Sequence, residues 1–406
     1  MSTAAPPVRR AATIFIFITV LLDVLALGVV IPVLPHLIEQ LEGGDTARAA
    51  QIVGLFGTMW AAMQFVCSPA LGALSDRFGR RPIVLLSNLG LGLDYVVMAL
   101  APTIGWLFVG RVINGITASS IVTAFAYLAD VTPGENRARA FGKLGAAFGL
   151  GFIIGPALGG ALSAISPRLP FWVAAALSLL NFAYGLFVLP ESLPLERRTA
   201  FSWRRANPMG SLRLLRSQPQ LFGFAAVHFL YYLAHQSLQT VFVLYTAYRY
   251  GWGVADVGWA LAAVGIVIAA VQGALVGPVV SKIGERATLI SGLSLGAVGF
   301  AIYGVAPTGW WFGVGIPVMS MFGLYGPAAQ GMMTRRVGFG QQGQLQGALN
   351  SVVGVAGIVG PTIFSGVFSH FIDPRGVQMA GAPYLVASAL LAAGALLAVR
   401  VTAAPA

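Results

Sequence analysis

The sequence predicts an all-α membrane protein of twelve transmembrane helices, built as two six-helix halves with pseudo-two-fold symmetry. Three observations predict it: a composition too apolar for water, apolar runs at regular intervals, and glycines that recur at one fixed offset. Of 406 residues, 57% are hydrophobic and 9% charged, with mean hydropathy +0.82. A soluble domain carries roughly 25% charged residues, so this chain cannot clothe a water-facing surface and a lipid bilayer must be its main solvent. The single cysteine, Cys67, leaves no internal disulfide and no Cys-based metal cluster.

A helix needs roughly 20 mostly apolar residues to cross the hydrocarbon core. Candidate spans are 13–37, 51–74, 83–101, 105–130, 140–165, 170–190, 221–248, 256–280, 288–306, 310–334, 344–369 and 383–400. The first follows Arg9 and Arg10 as a secretion signal would. Its apolar run continues to Pro35 with no small-residue cleavage site, so it is expected to remain as a span. Every gap holds charges or Pro/Gly turns. The long connection at 191–220 contains Pro194, Pro208, Pro219 and six arginines, and is expected to link an N-terminal half, 1–190, to a C-terminal half, 221–406.

Twelve crossings place both termini on one side of the membrane. With the termini cytoplasmic, 19 of the 24 Lys+Arg fall inside and four (Arg48, Arg168, Arg249, Arg375) outside, Arg111 lying within a span. That split follows the positive-inside rule. It assigns the net charge of +11 to topology and not to nucleic-acid binding.

The halves repeat at an offset of 205 residues. Gly72 and Gly277 open the comparable segments GALSDRFGRR and GPVVSKIGER; Gly79 pairs with Gly284, Gly142 with Gly347, and Gly155-Pro156 with Gly360-Pro361. Internal repeats of this kind are typical of transporters whose halves rock about a midplane site.

Between spans two and three the chain reads Gly72-Ala-Leu-Ser-Asp76-Arg77-Phe-Gly79-Arg80-Arg81-Pro82. Gly72 would let helices pack closely, Gly79 permits a tight turn, and Pro82 suits the first turn of a helix. Asp76 can reach a helix N-terminus or an arginine, forming a charge latch; a solvated turn is the other reading. This segment closely resembles the signature of the major facilitator superfamily. In span five, Gly151, Gly155, Pro156 and Gly159 resemble the motif of its antiporter branches, as a small-residue stripe for close helix contact; ordinary helix packing is the alternative.

Across nearly the whole chain, Leu22-Asp23, Val30-Ile-Pro32, Leu93-Asp94-Tyr95, Gly110-Arg111, Gly115-Ile-Thr117, Ala129-Asp130, Arg249-Tyr-Gly251-Trp252 and Gln342 to Gly347 resemble bacterial tetracycline/proton antiporters. The resemblance implies a multi-pass protein of the bacterial inner membrane, driven by the proton gradient and without a cofactor. It also implies export of a small lipophilic drug, which in that family arrives as a divalent-metal chelate. A monomer would suffice.

Charges inside a membrane are costly and mark function by default. Three lie well within spans: Asp23, Asp94 and Arg111. A carboxyl in a low-dielectric cavity can load and release protons, whereas a nearby arginine holds it ionised. The three are therefore proton-coupling candidates, with a purely structural ion pair as the alternative, and the resemblance places them at functionally charged positions. The second half departs from the family: Ile268 stands where the resemblance places a histidine in span eight, and Gly296 where it places an aspartate in span nine. His228 and His235 are candidate replacements or plain hydrogen-bonding partners. Gln64, Asn88, Gln236 and Gln272, with His228, Tyr232 and His235, are the expected substrate-binding residues.

Enzyme chemistry lacks its usual carriers: there is no GxxxxGKS, HExxH or CxxC. Without a nucleotide loop the driving force is an ion gradient. The readings that remain are drug export coupled to protons, export of another compound with altered coupling, and a non-transporting membrane receptor, for which a 30-residue linker leaves no signalling domain.

Overall fold

The computed structural model describes residues 7–132, 137–201, 219–337 and 341–403, together with Leu215. Much of the connection expected at 191–220, with Arg204, Arg205, Pro208, Arg213 and Arg216, lies outside the described residues, as do the side chains of Arg9, Arg10, Arg137 and Arg139.

Among the described residues the regular structure is helical throughout. In chain order the helices are α1 (Pro7–Val30), α2 (Val33–Leu41), α3 (Thr46–Phe78), α4 (Arg80–Leu100), α5 (Ile104–Thr117), α6 (Ser120–Val131), α7 (Arg137–Ser163) and α8 (Leu169–Val188). They continue as α9 (Pro219–Tyr250), α10 (Val254–Ala270), α11 (Val276–Val305), α12 (Gly309–Ser320), α13 (Tyr325–Thr334), α14 (Gln342–Phe371) and α15 (Ala382–Ala403). A π-helical turn, Val271–Leu275, joins α10 to α11, and a 3-10 turn, Met321–Leu324, joins α12 to α13.

Ten helical stretches among the described residues are long and apolar enough to cross a bilayer. One of them, Val254–Val305, has 52 residues. At about 1.5 Å per residue that is roughly 78 Å, more than twice a hydrocarbon core of about 30 Å. It is two crossings, because Gly284 has φ 76° and ψ 165° and interrupts the helix. The 32-residue α9 completes twelve. Several spans run longer than their apolar cores suggest or are broken within the membrane. The first divides at Ile31-Pro32, where proline offers no backbone N–H; the fourth divides at Ala118-Ser119. Exposed apolar side chains along the spans, such as Phe187 (85%), Leu396 (71%) and Val305 (66%), fit a lipid surround.

By contacts the chain divides into two compact units, Met1–Leu34 with Val66–Asn207, and Pro35–Phe65 with Pro208–Ala406. In the first unit α1 packs on α7 and α8, and α4 on α8, α5 and α6. The α1–α7 seam is backbone-close: a Cβ on Gly155 would sit 2.7 Å from the Gly28 Cα, and one on Gly159 would collide with the Val29 carbonyl. Phe15, Val20 and Val24 of α1 meet Tyr127, Leu144 and Ala147 in the core beside that seam.

In the second unit α9 packs on α14 and α15, and α11 on α12, α13 and α15. Its core is aromatic: Tyr303 and Phe312 stack at 3.9 Å, and the Tyr245 hydroxyl donates to the Tyr303 carbonyl at 2.8 Å. The first half of α3 joins this unit through α14, because a Cβ on Gly54 would collide with Ser365 while Thr58 Oγ1 donates to the Ile358 carbonyl at 2.8 Å.

Candidate functional site

Two buried carboxylates dominate the first unit, and their partners differ. Asp94, on α4, is fully buried. One of its oxygens, Oδ2, accepts from Asn114 Nδ2 at 2.6 Å and faces Arg111 of α5 at 3.5 Å. The other, Oδ1, has no hydrogen-bond partner. Gly110 makes room for it, since a Cβ there would lie 2.5 Å from Oδ1.

Asp23, on α1, is buried among amides. Asn181 of α8 donates to its Oδ1 at 2.9 Å and to the Thr19 carbonyl at 3.0 Å. With its amide nitrogen turned to Asp23, Asn88 donates to both carboxylate oxygens at 3.2 and 3.3 Å and accepts from Asn181 at 3.2 Å. Asn88, which reaches Asp23, and Asp94 both lie on α4, as does the buried Tyr95. Asn88, an expected substrate-binding residue, is fully buried and reaches Asp23. Asn181 escaped the sequence reading, although an asparagine in the apolar stretch Leu169–Val188 was the available signal.

The glycine-arginine loop forms a second cluster at the end of α3. Gly79, with φ 108°, turns the chain from α3 into α4. Arg80 holds two carboxylates, Asp76 through Nη1 at 2.5 Å and Asp130 of α6 through Nε at 3.0 Å. Of the two places open to Asp76, it takes the arginine. The helix N-terminus is taken by Glu191, which accepts from the backbone N–H groups of Arg80 at 2.8 Å and Arg81 at 3.3 Å. A Cβ on Gly79 would collide with that carboxylate. Arg81 donates to the Leu186 carbonyl at 2.7 Å, and Arg77 lies 5.0 Å from the Phe78 ring. Close packing was expected at Gly72, but a Cβ there meets nothing within 4 Å among the described residues; that expectation is corrected. Asp130 and Glu191, missed as members, are 50 and 111 residues from Arg80 in sequence.

Gly151, Gly155 and Gly159 of α7 all face α1, and Pro156 Cδ would lie 3.0 Å from a Cβ on Gly28. In the second unit, His228 and Tyr232 of α9 meet, and His235 follows on the same helix. His228 Nδ1 is 3.2 Å from the Tyr325 hydroxyl and its ring 4.7 Å from Tyr232, while His235 stacks on Phe322 at 5.5 Å. Tyr231 lies between Phe322 and Tyr325, 4.0 Å from each. Gln236 packs on Gly357 and Gly360, Gln272 occupies the π-helical turn, and Gln64 is partly buried on α3. An open cavity of about 600 Å³ in this unit is lined by Arg249, Tyr250, Trp252 and Trp310, and includes none of the expected substrate residues.

Gly296 is buried, and a Cβ on it would sit 3.0 Å from Leu391 Cδ1 and 3.2 Å from Phe322 Cβ. The string Gly292-Leu-Ser294-Leu-Gly296 has the GxSxG spacing of hydrolases but lies inside α11, without the strand-to-helix turn that exposes a nucleophile.

A sequence profile described as Major Facilitator Superfamily matches residues 16–361 and, again, 224–405. The chain belongs to the major facilitator superfamily. It is 39% identical over 361 residues to the class C tetracycline resistance protein of Escherichia coli, covering 88% of this chain and 90% of that one. The class G tetracycline resistance protein of Vibrio anguillarum is 37% identical, covering 89% and 91%. Among solved structures, the human organic anion transporter MFSD10 superposes with TM-score 0.72 at 26% identity, covering 97% of this chain and all of that one. These superfamily relatives are transporters and not enzymes.

Proposed function

We propose that this protein exports a tetracycline-like drug, or another lipophilic drug, across the bacterial inner membrane in exchange for protons, by alternating access of its two halves. The observation that carries the coupling is Asp94: fully buried, its Oδ2 shared by Asn114 and Arg111, its Oδ1 without a partner. A proton arriving at Oδ1 removes the carboxylate charge that Arg111 faces. Arg111, its side chain 12% exposed, then loses its counter-charge, a state whose cost approaches about 3–5 kcal/mol as the pair becomes fully buried. The pair thus has a strong reason to rearrange on protonation, which ties proton uptake to movement of α4 against α5. Asp23, held by neutral amides, would serve as a second stop for the proton.

Drug recognition is assigned to the His228–Tyr232–His235 face of α9, where stacked rings suit a flat, largely apolar ligand. A tetracycline would enter as its divalent-metal chelate, the metal being part of the cargo. Gly296, packed against Leu391 and Phe322, favours a variant of this reading in which the second half takes no part in proton transfer.

The test is uptake of labelled tetracycline with magnesium into proteoliposomes with an acidic lumen. Gradient-dependent accumulation by the wild type and its loss in Asp94→Asn, with thermal stability retained, are expected. An Asp94→Asn protein that accumulates drug like the wild type overturns the coupling. A panel of other lipophilic drugs in the same vesicles decides the substrate.

A further inference from the structure

The repeat offset of 205 carries beyond the glycines that first show it. It maps Arg80 onto Glu285 and Asp130 onto Arg335. In the first unit Arg80 and Asp130 are ion-paired at 3.0 Å; in the second, Glu285 and Arg335 are ion-paired with the signs exchanged. The backbone ahead of each pair is alike: Gly79 has φ 108° and ψ 162°, and Gly284 has φ 76° and ψ 165°. The next arginine behaves alike too. Arg81 donates to Leu186 near the end of α8, and Arg286 donates to Val399 and Thr402 near the end of α15, each the last helix of its half. Nothing about a tight turn or the positive-inside rule requires a carboxylate at 285 opposite a guanidinium at 335.

We propose that Glu285 and Arg335 are positioning residues, a polarity-inverted counterpart of the Arg80–Asp130 pair. They tie the start of the ninth span to the end of the tenth, so that the second half moves as one body. Gly331 belongs to the device, since a Cβ there would come within 2.6 Å of Glu285 Oε1. The inverted pair stands with fewer charges around it. The positions matching Asp76 and Glu191 are Ser281 and Leu396, so one guanidinium meets one carboxylate. Because no second carboxylate joins the pair, exchanging its two members sets no acid against another, although Arg286 and Arg336 remain beside the exchanged positions.

The consequence for transport rests on the alternating-access reading; the pairing itself does not. The experiment therefore reads both. Glu285→Arg, Arg335→Glu and the double exchange are compared by hydrogen exchange of the amides at 285–290 and 328–337, without drug or gradient, and then by drug accumulation in proteoliposomes. Each single reversal should speed exchange in both segments about tenfold, equivalent to about 1.4 kcal/mol, and slow accumulation several-fold. The double exchange should return both to within about twofold of wild type, as a coupled pair does. Should a reversal fail to fold, Glu285→Gln and Arg335→Gln are expected to raise exchange in the same two segments by a smaller factor. Single variants that exchange like the wild type, or a double exchange no better than the worse single, overturn the pairing. Restored exchange in a protein that moves no drug upholds the pairing and removes the export reading instead.

Discussion

The two glycine turns, at 79 and at 284, share a backbone and differ in everything attached to it. At the first, Arg80 is met by Asp76 and Asp130, and Glu191 covers the start of α4. At the second, Glu285 meets Arg335, and a Cβ on Gly284 would touch nothing within 4 Å. The left-handed glycine is what the geometry of the connection demands, since only glycine enters this region freely. The charges around it need only balance, and the two halves balance them differently. The crowded turn tolerates little; the sparse one has freedom to change.

The largest effect expected from this contrast is on charge exchange. Arg80→Glu with Asp130→Arg restores the pair but sets the new carboxylate against Asp76, and Arg80 is largely buried, its side chain 13% exposed. The double variant should lose about 2 kcal/mol or more of stability in thermal unfolding, whereas exchange at 285 and 335 is expected to cost under about 1 kcal/mol at a partly exposed pair. Equal losses at the two turns would break the comparison. Next come the glycines. Alanine in this backbone region costs about 1–3 kcal/mol at either position, and Gly79→Ala should cost more than Gly284→Ala because it also displaces Glu191. Equal shifts in melting temperature would mean that the Glu191 contact adds nothing.

A third, smaller difference concerns Glu191 itself. Glu191→Ala removes the acceptor from two N–H groups at the start of α4 and should cost about 1 kcal/mol; Leu396→Ala, at the matching position in the second half, is expected to leave hydrogen exchange near 285 unchanged. The smallest is Ser281→Asp, which sets a carboxylate four residues from Glu285, where Asp76 stands four residues from an arginine. Two like charges facing each other across this partly exposed turn should cost under about 1 kcal/mol, measurable as a lower urea midpoint.

How much of this was legible in the sequence divides along the same line. Spans, repeat and glycine turns are local in the chain, and apolar runs and φ-demanding glycines declare themselves without reference to distant residues. Asp23, Asp94 and Arg111 were legible because a charge inside a span has few innocent explanations. The partners were not. Asn181 reaches Asp23 across 158 residues and Glu191 reaches Arg80 across 111, and no local pattern says which amide or carboxylate will arrive there. Asn88 stood out by type, but its contact with Asp23 did not. Gly72 shows the opposite error, a close-packing role inferred from small size at a position where the described surroundings are open.

Gly296 has a consequence for anyone who would put an acid in the second half. Its site is walled by Leu391 and by Phe322, which is itself stacked on Tyr231 at 4.0 Å. A carboxylate placed there alone would be buried among apolar groups without a partner, a cost of several kcal/mol. The position is therefore closed to a single substitution, and any design that charges it has to reopen the wall at Phe322 first.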